Sequence, residues 1–186
     1  NAESTGFDTV SVVEHVAVPA GFAEEYPYSK TGRWPLPTDC EIPDPLELLS
    51  FLAARTERIG LSTGILIASV HHPLMLAKRL ATIDVLSGGR MRLGVGVGWM
   101  REELDALDVE FSSRGRRLDE VIDAMRAVWR EDEASFHGEF FDFERVVSRP
   151  RPVQAGGVPI HIGGHSPAAA RRAGRVGDGF QPIGVP

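Results

Sequence analysis

The run from Ala77 to Trp99, AKRLATIDVLSGGRMRLGVGVGW, constrains the fold of this chain more than any other stretch. Ala77, Leu80 and Ile83 recur at helical spacing, and Ser87-Gly88-Gly89 supplies residues that tolerate left-handed backbone at a helix end. Met91, Leu93, Val95 and Val97 then alternate with period two. Helix, stop, strand and glycine-rich turn make one αβ unit. Gly94, Gly96 and Gly98 occupy every second position, so one face of the strand carries almost no side chain. A flat ligand or a neighbouring backbone can lie against such a face.

The flanking sequence repeats the alternation. Asn1 to Gly6 reads as the tail of a helix and Phe7 to Val13 as a strand ending at Glu14-His15. Pro19 to Pro43 is rich in Pro, Gly and aromatic residues, and a loop of that length in a compact domain is usually functional or mobile. Asp44-Pro45-Leu46-Glu47 is a capped helix start, with the helix expected to end near Arg58. Ile59 to Ala68 is an apolar run typical of a strand covered on both faces, and Pro73 opens the next helix. Beyond Trp99 a short acidic segment leads to a helix over Ser113 to Arg130. There Leu118, Val121, Ile122, Met125, Val128 and Trp129 form a single stripe. Phe136 to Phe141 reads as a hairpin turning at Gly138, Val158 to Ile162 as a buried strand, and Ala168 to Ala173 as a helix stopped by Gly174. Gly177 to Phe180 begins a last short strand.

Alternation of this kind demands a parallel sheet, either doubly wound or a (β/α)8 barrel. The chain itself does not choose between them. A barrel closes with eight strands and typically about 250 residues, and only five strands are predicted in these 186 residues.

The formal charge of −6 argues against a general nucleic-acid binder, which draws its affinity from clustered Lys and Arg. No apolar run approaches the roughly 20 residues that span a bilayer, and no basic segment followed by an apolar run opens the sequence. A single cysteine, Cys40, excludes an intrachain disulfide and a CxxC site, and fits a reducing cytoplasm.

Two places carry candidate chemistry. His15 stands at the C-terminal end of the first strand, where parallel α/β proteins build their active sites, and a histidine there can donate to an electron-rich oxygen or exchange a proton. In Gly163-Gly164-His165-Ser166-Pro167 the glycines permit a tight turn, Ser166 caps and Pro167 fits the first turn. The remaining amides point outward as a phosphate site, with His165 beside them. Gly94-x-Gly96-x-Gly98 is only half of a dinucleotide fingerprint. His71, His72, His137 and His161 lack partners at metal-ligand spacing, so no metal site is predicted. Arg114, Arg116 and Arg117 read as a solvated first turn.

Taken in order, these pieces resemble the luciferase-like superfamily of flavin and deazaflavin oxidoreductases, in its coenzyme F420-dependent branch. The resemblance rests on Gly6-Phe7-Asp8 leading to Glu14-His15, Asp44-Pro45, Arg58-Ile59 before Thr63-Gly64-Ile65, and Pro73. It continues through Ala81-Thr82 to Trp99, Arg114-Gly115-x-Arg117, and Ile162-Gly163-Gly164 to Asp178-Gly179-Phe180. It implies a (β/α)8 TIM barrel, incomplete in this chain, with residues 1–186 as a single domain covering roughly the second to sixth strand units. It also implies F420, or alternatively FMN, at the C-terminal ends of the strands. The ring would lie over Gly64 and Ile65, where the family commonly has a non-prolyl cis peptide. By the same resemblance His15 is the catalytic hydrogen-bond donor or acid. Gly96, Gly98 and Trp99 border the cofactor, and Gly163, Gly164, His165 and Ser166 hold its phosphate.

The implied activity is hydride transfer between F420 and a small organic substrate. The alternatives are an FMN-dependent monooxygenase on the same barrel or a non-catalytic partial barrel. A homodimer is expected by family similarity. Trp99 stands where some F420 enzymes carry an acidic proton donor, and Pro19 where some relatives have a catalytic tryptophan, so the resemblance does not extend to sugar-phosphate dehydrogenation.

Overall fold

The structure, a computed structural model, describes residues 2–22, 26–37 and 39–182, so that Asn1 and part of the Pro19 to Pro43 loop lie outside the described residues. Its centre is a parallel sheet. The strands are β1 (Thr9–Val12), β2 (Gly60–Thr63), β3 (Leu66–Ile67), β4 (Met91–Gly96), β7 (Ile160–Gly163) and β8 (Gly179–Gln181), in the order β1-β2-β4-β7-β8 with β3 also on β4. Every pairing in this sheet is parallel. An antiparallel hairpin of β5 (Ala134–His137) and β6 (Asp142–Val146) stands apart from it, closed by Gly138 N–H donating to Phe141 O.

The helices return the chain from one parallel strand to the next. They are α1 (Pro45–Arg55), α2 (Pro73–Ser87), α3 (Arg101–Ala106), α4 (Arg114–Arg130) and α5 (Pro167–Val176). Asp44 caps α1 by accepting from the amides of Leu46 and Glu47. Gly88, at φ 66°, closes α2 in the left-handed conformation that the Ser-Gly-Gly stop leads one to expect. The predicted stripe of α4 is buried throughout and joins α1, α2 and the sheet in one core. Each fully buried Leu, Ile or Val contributes about 1.5–3 kcal/mol relative to exposure. Trp129, at the end of that stripe, donates its Nε1–H to Ala77 O of α2 at 3.1 Å.

Four elements differ from their expected bounds. Helix α1 stops at Arg55 rather than near Arg58, because Thr56 turns extended and caps the Leu52 carbonyl with its hydroxyl. The expected strand over Ile59 to Ala68 is two strands, with a cis Gly64–Ile65 peptide between β2 and β3 and a 3-10 turn from Ala68. The acidic segment after Trp99 is itself a helix, α3. Gly174 does not stop α5, which runs to Val176 and ends at extended Gly177. A single glycine costs a helix about 1 kcal/mol, and packing of Ala173 and Val176 onto the core offsets that cost.

Among the described residues no helix is long and apolar enough to cross a membrane. No group of three or more His, Cys, Asp or Glu side chains among them converges as a metal-ligand set.

Candidate active site

The C-terminal ends of β1, β3, β4 and β7 open into a cleft of about 800 Å3. All ten residues singled out from the sequence line it: His15, Gly64, Ile65, Gly96, Gly98, Trp99, Gly163, Gly164, His165 and Ser166. The volume lies within the range of roughly 300–1,000 Å3 of small-molecule and cofactor sites.

The alternating glycines of β4 serve the protein's own packing. A Cβ on Gly94 would meet Thr63 O and the Gln181 amide oxygen, and one on Gly98 would meet Ile67 Cγ2 at 3.0 Å. At Gly96 it would come within 2.7 Å of Ile65 Cδ1, and at Gly163 it would run into the same side chain. Ile65 therefore rests across the ends of β4 and β7 and forms one wall of the cleft. The smooth face anticipated from the sequence exists, and the atoms lying against it are Thr63, Ile65, Ile67 and Gln181.

His15 is fixed from below. Its Nδ1 lies 2.8 Å from Glu103 Oε2, while Glu103 Oε1 accepts from the amides of Val16 (2.7 Å) and Ala17 (3.3 Å). Glu103 is buried, so its interaction with His15 is little screened. An ionised carboxylate can only accept, which puts a proton on Nδ1 and leaves Nε2 for the cleft. A second pair stands beside it. Buried Glu14 accepts from Ile67 N at 2.6 Å and from His71 Nε2 at 2.9 Å, anchoring β3 just beyond Ile65.

Aromatic rings line the same end. Trp34 meets His15 edge-on with centroids 4.8 Å apart, and Trp34 and Trp99 are tilted together at 5.4 Å. Tyr26 packs against both tryptophans, at 5.3 and 5.1 Å. Tyr28 stands edge-on to His165 at 4.9 Å, and burial, with Tyr26 beside it, pushes its hydroxyl above the ordinary tyrosine value.

At the mouth, Gly164 takes φ 124° to turn β7 into α5, and Ser166 Oγ caps that helix by accepting from Ala169 N at 3.1 Å. The capping hydroxyl is thus engaged. Pro167 has no N–H, and the amides of Ala169 and Ala170 donate to Ser166, so in the first turn of α5 the amide left for an anion is that of Ala168. Arg101 and Arg114 lie over the Phe111 ring, at 4.2 and 3.5 Å from its centroid, and Arg114 Nε also donates to Gly98 O. Burial, and then the charge of Arg101, lower Arg114 below the ordinary arginine value. The reading of Arg114, Arg116 and Arg117 as one solvated turn holds for exposed Arg116 alone. Arg114 enters the cleft wall, and Arg117 donates to Ser69 O and lies over Phe141.

Sequence reasoning missed Glu103, Glu14, Trp34, Tyr26, Tyr28, Arg101 and Arg114. The acidic segment after Trp99 was visible as composition, but only its folding as α3 brings Glu103, 88 residues away in sequence, to His15. His71 likewise gains its carboxylate partner from 57 residues away.

The sequence model of the luciferase-like monooxygenase family matches residues 1–186. The chain belongs to this family. It is 34% identical over 184 residues to an F420-dependent glucose-6-phosphate dehydrogenase of Nocardia farcinica, covering 96% of this chain and 49% of that protein. It is 38% identical over 132 residues to an FMNH2-dependent dimethylsulfone monooxygenase of Pseudomonas putida, covering 69% of this chain and 36% of that protein. The crystal structure of a monooxygenase from Streptomyces bottropensis, 33% identical, superposes with a TM-score of 0.77 over 96% of this chain and 49% of its own. The chain therefore spans about half the length of the luciferase-like proteins it matches. Its five-position parallel sheet is part of the luciferase-like (β/α)8 barrel, with the cleft at the strand ends where barrels of this kind place their chemistry.

Proposed function

We propose that this chain forms the cofactor-binding part of an F420-dependent oxidoreductase acting on a small organic substrate, with His15 as the acid or hydrogen-bond donor at the reacting atom. The chain would supply the second to sixth strand units of the barrel. The observation that carries the reading is the buried Glu103 carboxylate holding His15 by its Nδ1 at the wall of a cleft at the strand ends, where Nε2 donates when the ring is protonated and accepts when it is neutral. Support for F420 comes from the match to the dehydrogenase, which runs over 96% of this chain.

The residues present fit a flavin-type group on three counts. The cleft is large enough, Ile65 offers an apolar wall for a ring, and the Ala168 amide at the start of α5 with His165 offers donors to a phosphate. When bound, F420 supplies a two-electron hydride centre, which leaves the protein to position, desolvate and protonate. Gly64 and Ile65 would border the ring. Gly96, Gly98, Trp99, Gly163, Gly164, His165 and Ser166 would border the rest of the cofactor. His15 Nε2 would then exchange the substrate proton while Nδ1 stays tied to Glu103. Trp34, Trp99 and Tyr26 would exclude water from the reacting end, which strengthens every polar interaction inside it.

The FMN-dependent monooxygenase reading has its own support in the 38% identity to the Pseudomonas enzyme. Fluorescence titration of the purified chain with each cofactor separates the two. We expect saturable quenching of F420 and weaker binding of FMN. Tight FMN binding without F420 binding would replace the dehydrogenase reading, and failure to bind either would end the enzyme reading for this chain.

A further inference from the structure

The mouth of the cleft carries two cations for which the described residues supply no counter-ion. Arg101 and Arg114, the first residues of α3 and α4, both line the cleft and lie over the Phe111 ring, at 4.2 and 3.5 Å from its centroid. Neither forms an ion pair among the described residues, whereas their neighbours do. Arg116 pairs with Glu139 at 3.0 Å and Arg172 with Asp119 at 2.7 Å. The carboxylates that line the cleft are engaged, Glu14 by Ile67 N and His71, and Glu102 by an interaction of its own. Arg101 is exposed, and its contact among the described residues is the face of Phe111. Arg114 gives Nε to Gly98 O and Nη1 to Phe111 O. Its Nη2 has no partner among the described residues and is not among the buried unpartnered atoms, so solvent reaches it.

Two guanidinium groups on one ring repel each other. Burial, and then the charge of Arg101, hold Arg114 below the ordinary arginine value, and the first turn of α4 adds the positive end of its dipole without an acidic residue to offset it. An anion beside both relieves that repulsion, and a guanidinium fork suits a planar carboxylate. We infer that Arg101 and Arg114 form a second anion subsite of the cleft, one that takes a carboxylate lying further along the bound ligand than its phosphate. The inference rests on the oxidoreductase reading for that phosphate, which the Ala168 amide and His165 would hold. Tyr28 joins the two donor sets along one wall, because its ring stands edge-on to His165 at 4.9 Å and its hydroxyl feels the charge of Arg114. A ligand with one anionic group fills one set and leaves the other unpaired. Two sources bring the second group: a tail of linked glutamates, which F420 has and FMN lacks, or a carboxylate on the substrate. No covalent step is assigned to either arginine.

The test is calorimetric titration of the chain, without cofactor, with γ-linked triglutamate, with succinate and with neutral succinamide. We expect saturable binding of an anion that weakens with added salt, and at least about tenfold weaker binding of succinamide. Arg101→Gln removes no hydrogen bond found among the described residues, so the variant should stay folded and bind the anion about tenfold more weakly, the worth of one charge-assisted hydrogen bond. Arg114→Gln should weaken it as well. Arg171→Gln, at an exposed position of α5 outside the cleft, should leave binding unchanged. Triglutamate binding tighter than succinate assigns the carboxylate to the cofactor tail, and succinate binding as tight or tighter assigns it to the substrate. Absence of saturable binding by both anions, no loss in Arg101→Gln, or an equal loss in Arg171→Gln overturns the inference. F420 titration of the same samples reports separately on the oxidoreductase reading, so either conclusion can fail alone. If Arg114→Gln is unfolded, the comparison of Arg101→Gln with Arg171→Gln decides by itself.

Discussion

The two ends of the parallel sheet use polar side chains in opposite ways. At the N-terminal ends of the strands, side chains tie backbone to backbone. Arg90 donates five hydrogen bonds, to Ser87 O, Ile59 O, Ala53 O, Thr56 O and Thr56 Oγ1. Fully buried Asp84 accepts from the amides of Val153 and Gln154 and from the Gln154 side chain, and Glu3 accepts from the amides of Glu57, Arg58 and Ile59. At the C-terminal ends, Glu103 and Glu14 hold backbone amides too, but each also holds a histidine, and His15 faces the cleft. One end spends its charges on strand register. The other ties one nitrogen of His15 to Glu103 and sets the ring at the wall of the cleft. The division is the one expected of parallel barrels, where the lower face stabilises and the upper face reacts.

Substitutions at the two ends test that division, and the lower end should show the larger losses of stability. Arg90→Met keeps the aliphatic stem but strands four backbone carbonyls, at Ser87, Ile59, Ala53 and Thr56. Urea unfolding should show a loss of about 2–4 kcal/mol, and a loss below about 1 kcal/mol would break the comparison. Asp84→Asn retains one acceptor oxygen and should cost about 1–3 kcal/mol by the same measurement. At the upper end His15→Gln should cost less than about 1 kcal/mol, because Glu103 keeps its two amide donors. Under the proposed function, the same variant should slow hydride transfer at F420 about 10²-fold in single-turnover measurements.

Two pH experiments have smaller expected effects. Amide donation, first from Ile59 and then from Arg58, lowers the Glu3 carboxyl below 4.5 in the folded chain. A lowered folded value stabilises above the unfolded value and is lost as pH falls through the folded one. Thermal melts on the acid side should therefore fall more steeply for the wild type than for Glu3→Gln. His137 in the outlying hairpin moves the other way. Its bond to Asp142, then the charge of Asp142, raises it above 6.5. Its contribution is complete below the unfolded value and is lost as pH rises through the folded one, so His137→Gln should remove a slight loss of stability on the alkaline side. The pair is exposed, so this is the smallest of the effects.

The sequence alone determined what depends on neighbours in the chain. The helix stop at Gly88, the Asp44 and Ser166 caps, the buried stripe of α4 and the βα alternation all follow from local spacing and backbone preference. Those features placed every candidate site residue at a strand end or just beyond it, and a parallel sheet gathers its strand ends on one side. The cleft was therefore legible as a set of positions. The partners of those residues were not. Glu103 reaches His15 only because α3 folds over the end of β4, and Trp34 reaches the cleft only through a long loop whose path no periodicity records. The glycine run of β4 shows the limit most directly. Its spacing announced a bare face, but whether ligand or protein lies on that face depends on where Ile65 points, and that is set by packing between strands.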